Sequence, residues 1–169
     1  MTNETKVYVG TYAKYNSGNL AGAWLSLSNY SDNEEFVDAC KALHSDESDP
    51  EWMFQDIEGA ASDAISESFI PEYVFEFEAL DDSDKETVAA YASILGIGEA
   101  NFQYALEHFE DNFQGTYNSP EEWGEQLLYD CYEVPQFLEG CIDVERFTEN
   151  NLMDFTSGWH NGLFYIFTA

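Results

Sequence analysis

Between Asp32 and Asp154 the chain carries 33 acidic side chains against three bases, Lys41, Lys85 and Arg146; Glu4 is the one acid outside that span. Any fold must turn nearly all of these carboxylates toward water, because removing an unpaired one from solvent costs several kcal/mol and local cations are too few to offset it. A net charge of −29 favours disorder only where apolar residues are scarce. Here 44% of 169 residues are hydrophobic, with 13 Phe, 11 Tyr and 4 Trp, which is ample for packed cores. The chain is therefore expected to fold with its acids outside.

The field of such a surface repels nucleic acid and anionic membranes and attracts cationic surfaces. No apolar run approaches the roughly 18 residues of a membrane span, and the N-terminus has neither a basic n-region nor an apolar h-region, so a cytoplasmic location is expected. Cys40, Cys131 and Cys141 are odd in number and lack CxxC spacing, which argues for free thiols rather than a disulfide framework or zinc knuckle. The sequons at Asn3 and Asn29 carry little weight without a secretory signal.

Period-two patterns around Val7–Val9 and Ala23–Leu27, separated by Asn16-Ser17-Gly18-Asn19, predict two strands in a hairpin. Ser31 with Glu34 reads as a capping box opening an amphipathic helix that buries Phe36, Val37, Cys40 and Leu43. Trp52–Glu58 reads as a third strand. The stretch 60–98 predicts helices, the second capped by Ser83 with Glu86 and stopped at Gly96, although the alternation Phe75-Glu76-Phe77-Glu78 also fits a strand. Further helices are expected over 99–113, from Ser119 as N-cap through about Tyr129, and near Val144–Met153. Asn161-Gly162 predicts a turn into a terminal strand. The fold class expected is α+β, as three small units: an N-terminal α+β domain over 1–60, a central helical domain over 61–103 and a C-terminal α+β domain over 104–169.

Motifs for chemistry are sparse. His44, His108 and His160 are scattered, HExxH is absent, and Cys40/His44 is the one i, i+4 pair of ligand type, so no metal site is expected. The run Asp81–Glu86 lacks the glycine and register of a calcium loop. Gly96-Ile97-Gly98 follows a helical pattern and has Asn101 where a dinucleotide fingerprint needs glycine, so a helix end is the better reading and no cofactor is expected. Paired carboxylates among aromatic residues fit a glycosidase, but with 34 acids such pairs arise by chance, and the chain is not read as an enzyme.

The distribution of charge is more informative. From Glu86 to Glu145 there are 13 acids and no base, and Glu34/Asp38, Glu107/Asp111 and Glu121/Glu125 place like charges one helical turn apart, each mildly destabilising. Solvated faces normally interleave both signs. Duplex DNA carries one charge per about 1.7 Å of axis, so 29 net charges match about 50 Å of duplex. The pattern points to a DNA mimic whose partner is a groove lined with Lys and Arg. The phosphate-like surface is expected to comprise Glu34, Glu35, Asp38, Asp46, Glu47, Asp49, Glu51, Asp56 and Glu58 in the first unit. To these are added Glu72, Glu76, Asp81, Asp82 and Asp84 in the second, and Glu107, Glu110, Asp111, Glu121, Glu122 and Glu125 in the third. A reading from another class is an acidic adaptor or chaperone for basic DNA-binding proteins, which needs the charge but not its spacing.

The blocks "VYVGTYAKYNSGNLAGAWLSL", "EEFVDACKALH" and "DPEWMFQDIEG", in that order and spacing, resemble the N-terminal signature of ArdA-type antirestriction proteins. The segments "FEDNFQGTYNSPEEWGEQLLYD" and "VPQFLEGCIDVERFTENNLM" resemble later parts of the same family, so the likeness covers essentially the whole chain. The resemblance implies an elongated, curved acidic molecule that imitates bent B-form DNA. It would occupy the DNA-binding site of type I restriction–modification enzymes, protect incoming mobile elements and form a homodimer through its C-terminal region. Carried onto this sequence, it makes Val134, Pro135, Phe137, Leu138, Ile142, Val144 and Phe147 the candidate dimer contacts. The family's usual Arg-Asp-Leu is replaced here by Glu149-Asn150-Asn151-Leu152.

Overall fold

A computed structural model of the chain describes residues 4–169. Its first sheet has the order β2-β1-β3, formed by β1 (Lys6–Thr11), β2 (Ala23–Ser26) and β3 (Trp52–Glu58), with both pairings antiparallel. The three expected strands are all present. The connection between the first two is not a plain loop, because Thr11 accepts from the Lys14 amide and caps a short helix, α1 (Tyr12–Asn16). A bulge between Tyr8 and Val9 shifts the register against β3.

Helix α2 (Asn33–Leu43) lays Phe36 and Cys40 onto this sheet. Its N-cap is Asp32, whose carboxylate accepts from the Glu35 amide, one residue later than the expected Ser31 cap. Ser31 instead donates both its amide and its hydroxyl to Glu35 Oε2, each at 2.9 Å. The Glu35 side chain thus closes the reciprocal half of the box, and the helix starts where a stronger acceptor lies.

The middle of the chain is helical from Glu72 onward, as α3 (Glu72–Glu78), α4 (Asp82–Leu95) and the start of α5 (Glu99–Asn112). The helix expected before it is not formed: a 3-10 turn (Ser62–Ala64) is followed by an irregular stretch over 65–71 that ends at Pro71, the residue before α3. The alternation at Phe75–Glu78 is resolved as helix, which buries Val74, Phe75, Phe77 and Glu78 on one side. Asp81, not Ser83, caps α4, accepting from the amides of Ser83 and Asp84. Gly96 and Gly98 sit between two helices, with no strand before them.

Two strands were not anticipated, β4 (Phe113–Tyr117) and β5 (Phe155–His160). With β6 (Leu163–Thr168) they form a second antiparallel sheet of order β4-β6-β5. The β5–β6 hairpin turns at Asn161 and Gly162, both at positive φ (48° and 84°), the geometry of the expected two-residue turn. The central strand β6 is apolar on both faces because both are covered. Tyr165 and Phe167 face the main core, with Phe167 stacked on Tyr91 of α4 at 4.0 Å, whereas Phe164 and Ile166 meet Trp123 of α6 (Pro120–Cys131). The main core is one continuous cluster to which all three expected segments contribute, from Val7 and Phe36 through Val74 and Tyr91 to Phe167.

A buried polar knot ties these segments together. Glu78 Oε1 accepts from the Thr5 amide at 2.9 Å, Glu78 Oε2 pairs with the Lys85 ammonium at 3.0 Å, and Thr5 Oγ1 accepts from the Ala61 amide at 3.2 Å. Thr5, Glu78 and Lys85 are all buried.

Helix α6 packs on α7 (Val144–Leu152) at Gly124, where a Cβ would stand 1.7 Å from Thr148 Oγ1. Gly124→Ala is expected to destabilise the protein. Overpacking costs about 1–3 kcal/mol, against about 1 kcal/mol recovered from helix propensity. Urea unfolding of the variant checks this, with Thr148→Ala added as a partial rescue, since it removes the 1.7 Å contact but leaves the Thr148 Cβ at 2.7 Å. No helix among the described residues is long and apolar enough to cross a membrane.

Candidate acidic interaction surface

Eighteen of the twenty acids expected to form the phosphate-like surface are exposed; Glu47 and Asp84 are half-buried. Amphipathic folding accounts for this: each helix spends its apolar stripe on the core, so its acids face away. Glu34, Glu35 and Asp38 lie on α2, and Asp46, Glu47, Asp49 and Glu51 on the following turn. Asp56 and Glu58 point outward from β3. Glu72 and Glu76 line α3, and Asp81, Asp82 and Asp84 crowd the start of α4. Glu107, Glu110 and Asp111 end α5, and Glu121, Glu122 and Glu125 begin α6.

Several of these acids already serve the fold. Asp81 caps α4, and Glu35 and Glu122 reach back to the residues before their helices, Glu122 accepting from the Asn118 amide and side chain. Asp38 pairs with Lys41 and Glu58 with Lys6, each at 2.9 Å. By contrast Glu34, Glu72, Glu76, Glu110, Asp111, Glu121 and Glu125 make no hydrogen bond or ion pair to the described residues, and all are exposed. Their charge is available to a partner.

All four lysines are held in ion pairs within the chain. The tightest group surrounds Lys14, whose ammonium lies 2.8 Å from Asp46, 3.5 Å from Glu47 and 2.8 Å from His44 Nδ1. His44 Nε2 reaches the Val9 carbonyl at 3.1 Å and Thr11 Oγ1 donates to Glu47 at 2.7 Å. The hydrogen bond between Lys14 and Asp46 holds the carboxyl below its ordinary range and raises the ammonium above its own. His44, Asp46 and Glu47 place ligand atoms within 4.8 Å of one another, and the Lys14 ammonium supplies the cation to that group. Cys40 takes no part: burial pushes its thiol up to about 12, so it stays protonated. Cys131 and Cys141 are exposed free thiols.

Among the acids, sequence reasoning gave no structural role to Glu78, the buried one. A signal was present, since Glu78 falls four residues after Val74 and three after Phe75, on the helix face that must enter the core. Of the candidate dimer contacts, Pro135, Phe137 and Leu138 are exposed, Phe137 at 79%, on a 3-10 segment (Gln136–Cys141) and the residue before it. Val134, Ile142, Val144 and Phe147 are half-buried, and Phe147 meets the exposed Tyr132 ring edge-on at 5.9 Å.

No curated protein sequence matches the chain. A family model, antirestriction protein (ArdA), matches residues 7–164, which takes in every helix described above, the first sheet from Val7 onward and the second as far as Phe164 of β6. With that match over nearly its full length, the chain belongs to the ArdA antirestriction protein family.

Proposed function

We propose that the protein acts against restriction by mimicking B-form DNA, presenting its exposed carboxylates to the DNA-binding site of a type I restriction–modification enzyme. The observation that carries this reading is the combination of family membership with an outward acidic surface whose internal lysines are already paired, so that little local cation remains to quench it. Association would follow the thermodynamics of DNA binding itself, in which neutralising a row of negative charges releases condensed ions and makes affinity fall steeply with salt. No bond is made or broken, and no cofactor is needed.

The active form in this proposal is a homodimer in the cytoplasm that shields an incoming mobile element. The exposed Phe137 and Leu138, with Pro135 and the partly buried Val134, Ile142, Val144 and Phe147, offer an apolar surface through which two like-charged copies can associate. Doubling the chain doubles the length of duplex imitated, from about 50 Å to about 100 Å.

A competition titration at physiological salt tests the proposal. The protein is titrated against labelled duplex bound to a type I methyltransferase core, with a nonspecific basic protein as control. Stoichiometric displacement of DNA from the core, with weak binding to the control, is the expected result. Equal binding to both would reduce the surface to a general cation binder and favour the adaptor reading.

A further inference from the structure

A cleft of about 480 Å³ opens where the first sheet meets the helical middle of the chain, a size within the usual range of ligand sites. Its floor is apolar and small, with Ala89 and Ala92 of α4 beside Phe102 of α5. Its lining carries three carboxylates, Glu4, Glu58 and Asp63, one ammonium, Lys6, and the His160 imidazole, which lies 3.4 Å from Glu86. The exposed Ser93 and Ile97 stand at its edge.

The rim charges are not equivalent. Glu4 accepts from the hydroxyls of Ser26 and Ser28. Glu58 is neutralised by Lys6 at 2.9 Å, and the same ammonium lies 4.8 Å from the Trp24 ring centroid, which holds it against β2. Asp63 has no hydrogen-bond or ion-pair partner among the described residues. The cleft therefore offers one uncommitted carboxylate beside an apolar shelf, with three acids and one lysine giving it an excess of negative charge.

Those features select an occupant. A hydrated metal ion leaves the shelf without contact, an anion is repelled, and a neutral apolar group leaves Asp63 without a partner. A side chain with an apolar stem and a cationic head satisfies both surfaces. A guanidinium fits better than an ammonium, because it is planar, more weakly hydrated, able to lie on an apolar face and able to donate two parallel hydrogen bonds to one carboxylate. We infer that this cleft receives one arginine side chain of the protein partner, with Asp63 as its carboxylate acceptor. The inference rests on the proposed mimicry, since a DNA-binding groove supplies such arginines. It adds a shaped, localised contact to a surface otherwise read as distributed charge.

Ser93 is exposed on α4 and lines the cleft, so Ser93→Leu fills the space at unchanged net charge without entering the core. In the competition titration it is expected to bind the methyltransferase core about tenfold more weakly, as truncation or blockage of an anchor pocket does, and Asp63→Asn by a similar factor. Asp154→Asn, which removes one exposed charge outside both the cleft and the phosphate-like surface, should change binding less than about twofold. Wild-type affinity for Ser93→Leu would overturn the inference. A second arm needs no enzyme: N-acetyl-arginine amide is titrated into the protein while the backbone amide signals of Ala89, Ser93 and Gly96 are followed by NMR. Saturable shifts, lost in Ser93→Leu and weaker with N-acetyl-lysine amide, are expected; their absence would overturn the arginine site. If those shifts occur but the wild-type protein fails to displace DNA, the mimic reading falls and the site stands.

Discussion

Lys85→Met is expected to cost about 3–5 kcal/mol of stability, the range for breaking a buried ion pair from one side. In a chain of this length that corresponds to a melting temperature lower by about 6–20 °C. The reason lies in what remains: Glu78 would keep only the Thr5 amide as donor, with its second oxygen unpaired in a buried setting. Met has nearly the volume of the lysine stem, so little of the loss can be assigned to packing. Adding Glu78→Gln should restore most of the stability, because the amide oxygen still accepts from Thr5 and no charge is left buried. Urea unfolding of the two variants decides the matter. If the double variant is as unstable as the single one, the knot works through shape rather than charge, and a loss below about 1 kcal/mol for Lys85→Met would mean that water reaches the pair.

The effect of that knot is not local. Thr5 precedes β1, Glu78 ends α3 and Lys85 opens α4, so one carboxylate fixes the start of the first sheet against the middle helices. The orientation of acids on α2 and β3 relative to those on α3 and α4 then depends on a contact that bears none of the surface charge.

Much of this was readable from sequence where pattern and capping agree. The apolar positions of α2, α4 and α6 repeat at helical spacing, Ser119-Pro120 marks the start of α6, and Asn161-Gly162 admits few alternatives as a turn. Outward placement of the acids followed from desolvation cost alone. The misses have physical causes. Strand β4, Phe113–Tyr117, continues directly from α5 with no breaker residue, so the helical pattern runs into it; what ends the helix is pairing with β6, a partner some fifty residues away. Strand β5 contains Ser157 and Gly158 and lacks the alternation of a half-buried strand; Gly158 is small because Ile94 of α4 lies where its Cβ would be, at 2.9 Å. The caps of α2 and α4 moved to aspartates one and two residues from the expected serines because an ionised carboxylate outcompetes a hydroxyl for helical amides. The cleft was invisible in the sequence, since its lining comes from five separate parts of the chain.

Replacing Glu34, Glu76, Glu110, Glu121 and Glu125 by Gln and Asp111 by Asn together is expected to weaken inhibition strongly while making the free protein more stable. None of the six makes a hydrogen bond or ion pair to the described residues, so the internal loss is confined to the first-turn charges of Glu34 and Glu121 at their helix N-termini and the attraction of Glu34 to Lys41. The net charge moves from −29 to −23 by six removals. At about 0.5–1 kcal/mol for each exposed charge contact, binding loses about 3–6 kcal/mol, on the order of 10²- to 10⁴-fold in affinity. The salt dependence should flatten as well, by a slope of about five if all six stand in for phosphates. Stability moves the other way, because the Glu107/Asp111 and Glu121/Glu125 repulsions, each about 0.2–0.5 kcal/mol, are relieved along with the general self-repulsion. Thermal melts and the competition titration on the same sample separate the two effects. A variant that melts higher and no longer displaces DNA locates the function in charge that the fold does not need. One that displaces DNA as well as the wild type would remove these helix faces from the binding surface and leave the acids of the first sheet and its turns to carry it.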